Sequence, residues 1–279
     1  STNSVSQGES VANLWKPLFA DGVHIDFAHR TFRWDSEASI KAHVHCVIIG
    51  FSTAPSSKPK IIFSSERPQI VRNINGYLLN ADNIFVESRK KPLCNVPEMV
   101  FSSMPNDGGY LSDYSEEQKN EIIKKYPQAE QMFRPLLGAT EFINNKLRYC
   151  LWLKDIDPKI ILSVPPVLEA IEHVKQLRLN SNREATKKLA DTPMLFGEIR
   201  QPEKGNYLIV PRVSSENRKY IPIGFVNANT VASDSVLVVP NASLFQFGVM
   251  TSNVHNAWMR AVCGRLKSDY RYSINIVYN

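Results

Sequence analysis

Arg, Asn, Ser and Glu are the side chains that read the edges of base pairs, because their donors and acceptors are spaced to match them. Two connections of this 279-residue chain are filled with such side chains. The first holds Ser214, Ser215, Glu216, Asn217, Arg218 and Lys219, and the second holds Asn227, Asn229, Thr230, Ser233 and Asp234. A polar rim on an ordinary sheet accounts for the same residues, and taken alone they favour that simpler reading. His43 and His45 form the other chemically suggestive pair, since a strand places both imidazoles on one face at a spacing some metal sites use. No third ligand is suggested nearby and Cys46 points to the other face, so a pair of structural histidines is expected, and no metal. The sequence has no G-x-S-x-G, H-E-x-x-H, P-loop or G-x-G-x-x-G, so no local motif builds a small-molecule cofactor site.

Basic residues are spread along the chain. Lys58, Lys60, Arg67, Arg72, Arg89, Lys90 and Lys91 are interleaved with Tyr77 and Phe85, and Tyr270, Arg271 and Tyr272 cluster near the end. Such segments suit a phosphate backbone, where each neutralised phosphate releases counterions. A solvated basic face explains them equally well. The net charge of +6 and pI near 9.1 favour a polyanionic partner without establishing one. The four cysteines, Cys46, Cys94, Cys150 and Cys263, contain no C-x-x-C pair, which argues against a zinc knuckle or disulfide framework and for reduced, mostly buried thiols. Neither a membrane-length apolar run nor a signal-like start is present, so a cytoplasmic protein is expected. The chain opens STNSV rather than with Met and reads as a piece of something longer.

The elements that would position these residues follow from periodicity. Val11, Leu14, Trp15, Leu18 and Phe19 make an apolar helical face over residues 10–20, ended by Gly22. Strands are predicted over 23–31 and 42–51, the second buried on both faces because it is nearly continuously apolar after His45. Residues 52–60 read as a loop, and the run at 103–111 as a tight turn using positive φ. A capping box at Ser115 and Gln118 opens a helix that Pro127 interrupts, with a second helix expected through Met132, Phe133, Leu136 and Leu137. Residues 148–153 read as a short strand. Pro165 and Pro166 start a helix with Leu168, Ile171, Val174 and Leu177 inward and Glu169, Glu172, Lys175 and Arg178 mostly outward. Three β-rich runs at 207–213, 220–226 and 235–239 form the central sheet. Ser243 and Gln246 cap a long helix whose seam is Val254, Trp258, Ala261, Val262 and Leu266, with Arg260, Arg265 and Lys267 near its end, where cations favour the helix dipole.

Six blocks, TNSVSQGESVANLWKPLF, FAHRTFRWDSEASIKAHVHCVIIGF, INGYLLNADNIFVESR, MPNDGGYL, IVPRVSSENRKYIPIGF and GRLKSDYRYS, resemble successive blocks of the MmeI-like type IIL restriction-modification enzymes, in the same order. The resemblance implies an α/β (α+β) chain. Residues 1–63 would be the end of a class I, S-adenosylmethionine-dependent adenine-specific DNA methyltransferase domain, and residues 64–279 a mixed α/β target recognition domain for double-stranded DNA. The family's glycine-rich cofactor motif and its Asn-Pro-Pro-aromatic motif do not occur in this sequence. No cofactor or catalytic residue is therefore expected in these residues, and upstream methyltransferase and nuclease domains of the same parent would supply the chemistry.

The resemblance further implies base contacts by Arg212, Ser214, Glu216, Arg218, Asn227 and Asn229, since Arg suits guanine, Asn adenine and Glu the amino group of cytosine. A Glu216–Arg218 salt bridge that stiffens the loop is the structural alternative. Phosphate contacts fall to Lys60, Arg72, Arg89, Lys90, Arg200, Lys204, Lys219 and Arg271, and stacking on an extruded adenine to Phe32 or Trp34, unless these are core. Two other classes compete: a protein-interaction scaffold of a multidomain enzyme, with incidental charge, and a hydrolase using His43 and His45 with a metal.

Overall fold

The structure, a computed structural model, describes residues 1–35, 43–54, 57–64 and 67–279. By contact the chain forms two compact units, one of Ser1–Val96, Val213–Tyr220 and Thr251–Asn279, the other of Pro97–Arg212 and Ile221–Met250. Both mix helices with small sheets, the α/β class expected.

In the first unit the helix Glu9–Ala20 buries Val11, Ala12 and Trp15. Gly76 lies against this face, where a Cβ would meet Val11 and Trp15 at 2.8–3.0 Å. The preceding Asn75, itself buried, takes the Tyr77 and Leu79 N–H groups on its Oδ1 at 3.0 and 3.1 Å, so the INGYLL block is a packed turn. His24–Asp35 and His43–Ser52 pair as a long antiparallel hairpin, and Lys60–Phe63 and Gln69–Val71 complete a sheet in which His43–Ser52 is the outermost strand. The expectation that this strand is buried on both faces fails. Val47 is buried, whereas Ile48 and Phe51 are 50% and 60% exposed.

The long helix expected after Ser243 is two helices, Leu244–Thr251 and Asn253–Val262. Ser252 separates them, because its hydroxyl accepts the His255 N–H at 3.2 Å and starts a new helix. The second helix buries Asn256, Met259 and Val262, while Val254 is 80% and Trp258 41% exposed, so only Val262 of the expected seam is interior. Leu266 belongs to a hairpin, Gly264–Leu266 with Asp269–Arg271, to which Val213–Ser214 adds a third strand.

In the second unit the three β-rich runs become neighbours, in the order Gly224–Asn227, Asn206–Pro211, Val236–Pro240, with Val100–Phe101 at the far side. Tyr207 through Pro211 and Val236 through Val239 are buried, as their composition requires. The Ser115 and Gln118 capping box is present and opens the helix Glu116–Lys125. The second helix expected there is instead the strand Phe133–Leu137, which pairs with Tyr149–Leu151 and Val231–Ala232. Pro135 lies in its middle and has no N–H to continue a helix. The helix Pro165–Leu179 forms, but its buried stripe is Val167, Ala170, Val174 and Arg178, while Leu177 is 37% exposed. The turn at residues 103–111 uses Asp107, whose carboxylate accepts the Gly109 and Leu111 N–H groups at 3.0 and 2.7 Å, with Gly108 and Gly109 at positive φ.

All four cysteines are free, Cys150 and Cys263 buried and Cys94 exposed. Among the described residues no helix is long and apolar enough to cross a membrane.

Candidate nucleic-acid interface

A cleft of about 460 Å³ opens in the first unit, lined by Arg30, Phe32, Arg33, Glu216, Arg265 and Lys267, with His29, His45, Ser64 and Ser268 among its other walls. Strict alternation along His24–Asp35 would send Arg30 and Phe32 to one face and Arg33 to the other. The pairing changes the phase between Arg30 and the residues that follow it. His29 opposes Ile48 and Phe32 opposes Cys46, so this strand carries one extra residue between them, a β-bulge that re-aims the side chains around it.

The cations of the cleft are unequally satisfied. Arg33 donates from Nε to Asp35 at 2.7 Å, and His43 Nδ1 lies 2.6 Å from the same carboxylate oxygen. The Arg33 hydrogen bond, aided by His43, holds the Asp35 carboxyl below its usual range. Among the described residues Arg30 has no such partner. Arg30 is itself exposed, yet partial desolvation in the cleft, and then the like charge of Arg265, lower its guanidinium pKa, with Tyr270 opposing. His43 is thus engaged by Arg33 and Asp35, while His45 faces the cleft. Among the described residues no three His, Cys, Asp or Glu side chains gather as metal ligands.

Opposite stands the Gly264–Leu266 and Asp269–Arg271 hairpin with the loop 214–219. Arg265 lies over the Tyr270 ring, 4.0 Å from its centroid, and donates from Nη1 to the Ser268 carbonyl at 2.7 Å. The same Nη1 is 3.9 Å from Glu216, whose own N–H donates to Asp269 at 3.2 Å. The ion partner of Glu216 is therefore Arg265, not Arg218. Farther along, Arg260 donates to the Lys219 carbonyl at 2.9 Å and the Tyr220 hydroxyl to Asn253 at 2.6 Å. Both ends of the loop are fixed, and its exposed tip presents Glu216 and Arg218. The Arg218 guanidinium has no hydrogen bond or ion pair among the described residues. Ser214, at the base of the loop, is 3% exposed and its hydroxyl has no partner there.

The other predicted contact residues are dispersed. Arg212, Asn227 and Asn229 belong to the second unit. Arg212 follows Pro211 at one end of the strand Asn206–Pro211 and Asn227 pairs with Asn206 at the other, about 17–20 Å away at strand rise. Arg212 lies 5.2 Å from the Phe101 centroid and donates to the Asp234 carbonyl at 2.9 Å. Asn227 accepts the Asn229 N–H at 3.0 Å, making its own turn. Of the predicted phosphate contacts, Lys60 donates to the Ile25 carbonyl at 2.6 Å, and Arg200 pairs with Glu198. Arg72, Arg89, Lys90, Lys204, Lys219 and Arg271 are exposed.

Phe32 and Glu216 are thus the predicted residues that share one site. Trp34, farther along the same strand, is 59% exposed and its ring is 6.3 Å from that of Phe32. Sequence reading missed Arg30, Arg33, Arg265 and Lys267. The alternating basic and aromatic run HRTFRW carried a signal for the first two. The last two were obscured by the helix expected to run through Leu266.

A DNA methyltransferase A from Bacillus subtilis (strain 168) is 42% identical over 280 residues, covering 100% of this chain and 32% of that protein. The solved structure of the type IIL restriction-modification enzyme MmeI in complex with DNA superposes with a TM-score of 0.92 at 44% identity, covering 100% of this chain and 38% of that one. The chain therefore spans about a third of the length of these relatives. Two family models divide the sequence between them, the MmeI DNA-methyltransferase domain over residues 1–64 and the MmeI target recognition domain over residues 80–279. By these matches the chain belongs to the MmeI family.

Proposed function

We propose that these residues recognise a specific sequence of double-stranded DNA on behalf of an adenine-specific (N6) DNA methyltransferase and restriction enzyme, with residues 1–63 as the end of the methyltransferase domain and 64–279 as the recognition domain. One observation carries the reading: in the first unit, an aromatic ring, unsatisfied cations and a fixed polar loop converge on one cleft. Phosphates would be met by the cations, fixing register, and base edges by Glu216 and Arg218, choosing the site. The relatives point the same way, one being a DNA methyltransferase and the other a restriction-modification enzyme in complex with DNA. Phe32 or Trp34 would stack on the adenine once it leaves the helix.

Methyl transfer itself needs S-adenosylmethionine, which is cationic overall because its sulfonium and ammonium outweigh its one carboxylate. The cleft does not fit that molecule, because Arg30, Arg33, Arg265 and Lys267 would repel it and Glu216 is the lining carboxylate. The cofactor and the methyl-transfer chemistry would belong to residues of the parent protein outside this chain, which would act in the cytoplasm.

A fluorescence titration with a labelled duplex containing the target site, run at several salt concentrations against a scrambled competitor, tests the reading. Binding that weakens steeply with salt and prefers the target is expected. Absence of duplex binding at low salt, in this chain and in the full-length parent alike, would overturn it.

A further inference from the structure

We propose that Lys267 and Arg30 form a subsite for one backbone phosphodiester of DNA, and that Lys267 is kept in a disfavoured backbone conformation to serve it. The proposal rests on the DNA-recognition reading above and adds residues that the sequence did not suggest.

Leu266 pairs with Asp269, so Lys267 and Ser268 make a two-residue hairpin loop. The favoured loops of this length need positive φ at the first position, which is why Gly, Asn and Asp dominate there. This chain places Lys267 there at φ +59°. Among the described residues the other non-glycine positions at positive φ are Asn106, Asn145, Asn241, Asp155 and Leu78. The first four are the types that tolerate that region, and Leu78 is 2% exposed and held by core packing. Lys267 has neither excuse. It is exposed and makes no hydrogen bond or ion pair among the described residues, so its side chain returns nothing to the fold.

A second observation is independent of the turn. Four cations line the cleft against the carboxylate of Glu216, and Arg30 stands beside the like charge of Arg265. Arg265 is occupied by the Ser268 carbonyl and Glu216, and Arg33 by Asp35, which leaves Arg30 and Lys267 unneutralised. Folding gains nothing from crowding like charges, whereas an arriving phosphodiester would take the Arg fork on one oxygen pair and the Lys point charge from the side. The Arg265 bond to Ser268 holds the turn in place for this.

The test uses Lys267→Gly, which suits the turn better, and Arg30→Gln. Each is titrated with the target duplex and a scrambled duplex across salt, and its thermal midpoint is measured. Each variant should weaken both duplexes by the same factor and flatten the salt slope, and the double variant should reach about eightfold near 0.1 M salt and a slope change of about 0.9, the counterion-release share of one phosphate. Lys267→Gly should melt at or above the parent temperature. Binding of Lys267→Gly with unchanged affinity and slope, loss confined to the target duplex, or a lowered midpoint would each overturn the proposal. If inorganic phosphate at the salt-matched ionic strength competes far more strongly than chloride, the site is a free-anion site and the proposal also fails. A parent chain that binds duplex DNA while Lys267→Gly behaves identically sinks this inference alone. A parent that binds none sinks the recognition reading with it.

Discussion

Arg178 donates from Nη2 to the Leu195 carbonyl at 2.8 Å, although the two residues lie on opposite sides of a long connection. The same guanidinium, fully buried, also reaches the carbonyls of Pro105, Asn106, Leu189 and Thr192 at 2.9–3.1 Å. It binds the turn around Asp107 to the segment 189–195 in the second unit. Desolvation lowers its pKa, while Asp107 opposes that shift. Arg178→Met would leave five carbonyls without this donor and should destabilise the protein by about 3–4 kcal/mol, read as a shift of the urea midpoint at unchanged slope. Arg178→Lys, with three donors on a compact head rather than five in a planar fork, should recover less than half of the loss. A loss near zero for Arg178→Met would show that water replaces the guanidinium.

That residue also marks where sequence reading stopped. The helix Pro165–Leu179 was legible from its prolines and apolar period, and Val174 is interior as expected, but Arg178, expected outward, is buried, and Leu177, expected inward, is 37% exposed. A charged side chain reads as solvated unless its partners are known, and these carbonyls are 11 to 73 residues away. Local signals survived: the Ser115 cap, the three central strands and the positive-φ turn at 108–109 all depend on neighbours in sequence. Phe32, expected from the family resemblance, and Glu216, expected from its residue type, both line the cleft. Arg30 and Arg33 were not singled out, because the HRTFRW run does not mark which of its side chains face a cleft. Lys267 was hidden because a helix was expected to run through Ser252 and Cys263, where an N-cap and a change to extended backbone end the two helices.

Glu216 offers a prediction about specificity. Its ion pair with Arg265 is 3.9 Å long between side chains that are 46% and 22% exposed, so Glu216→Gln should change stability by less than about 1 kcal/mol. If the carboxylate accepts from a cytosine amino group, the same change should lower discrimination at one base pair by about 1–3 kcal/mol and leave the others intact. Competition against a panel of single-base-pair variants of the target duplex measures this. An equal loss at every position would mean that Glu216 orders the loop rather than reads a base.

The two aromatic candidates can be separated by what each does for the fold. Trp34 is 59% exposed, so Trp34→Ala should alter stability by no more than about 0.5 kcal/mol. Phe32 has an edge contact with His29 at 4.8 Å between ring centroids, and Phe32→Leu keeps most of its volume. The residue that stacks on an extruded base should lose about 1–3 kcal/mol of affinity for a duplex whose target adenine is mismatched, relative to the matched duplex. Equal behaviour of both duplexes with both variants would remove base stacking from the cleft.

A last prediction concerns acid. His255 Nε2 is 2.9 Å from the Tyr272 hydroxyl, and burial lowers the His255 pKa below its ordinary value of 6.5. In the unfolded chain the imidazole takes its proton near that ordinary value, and in the folded chain only at lower pH. Between the two values the unfolded state holds more protons, so stability rises with pH there. The contribution of His255 is complete above about pH 6.5, falls as pH drops through that value, and levels off below the folded pKa. Unfolding midpoints measured between about pH 7.5 and 5.5, above the range in which ordinary carboxylates dominate, should decline toward acid in the parent. His255→Gln keeps a polar group beside Tyr272 but cannot titrate, so it should flatten that decline while costing about 0.5–1.5 kcal/mol at the alkaline end. An equally steep decline in the variant would move the acid sensitivity to another group.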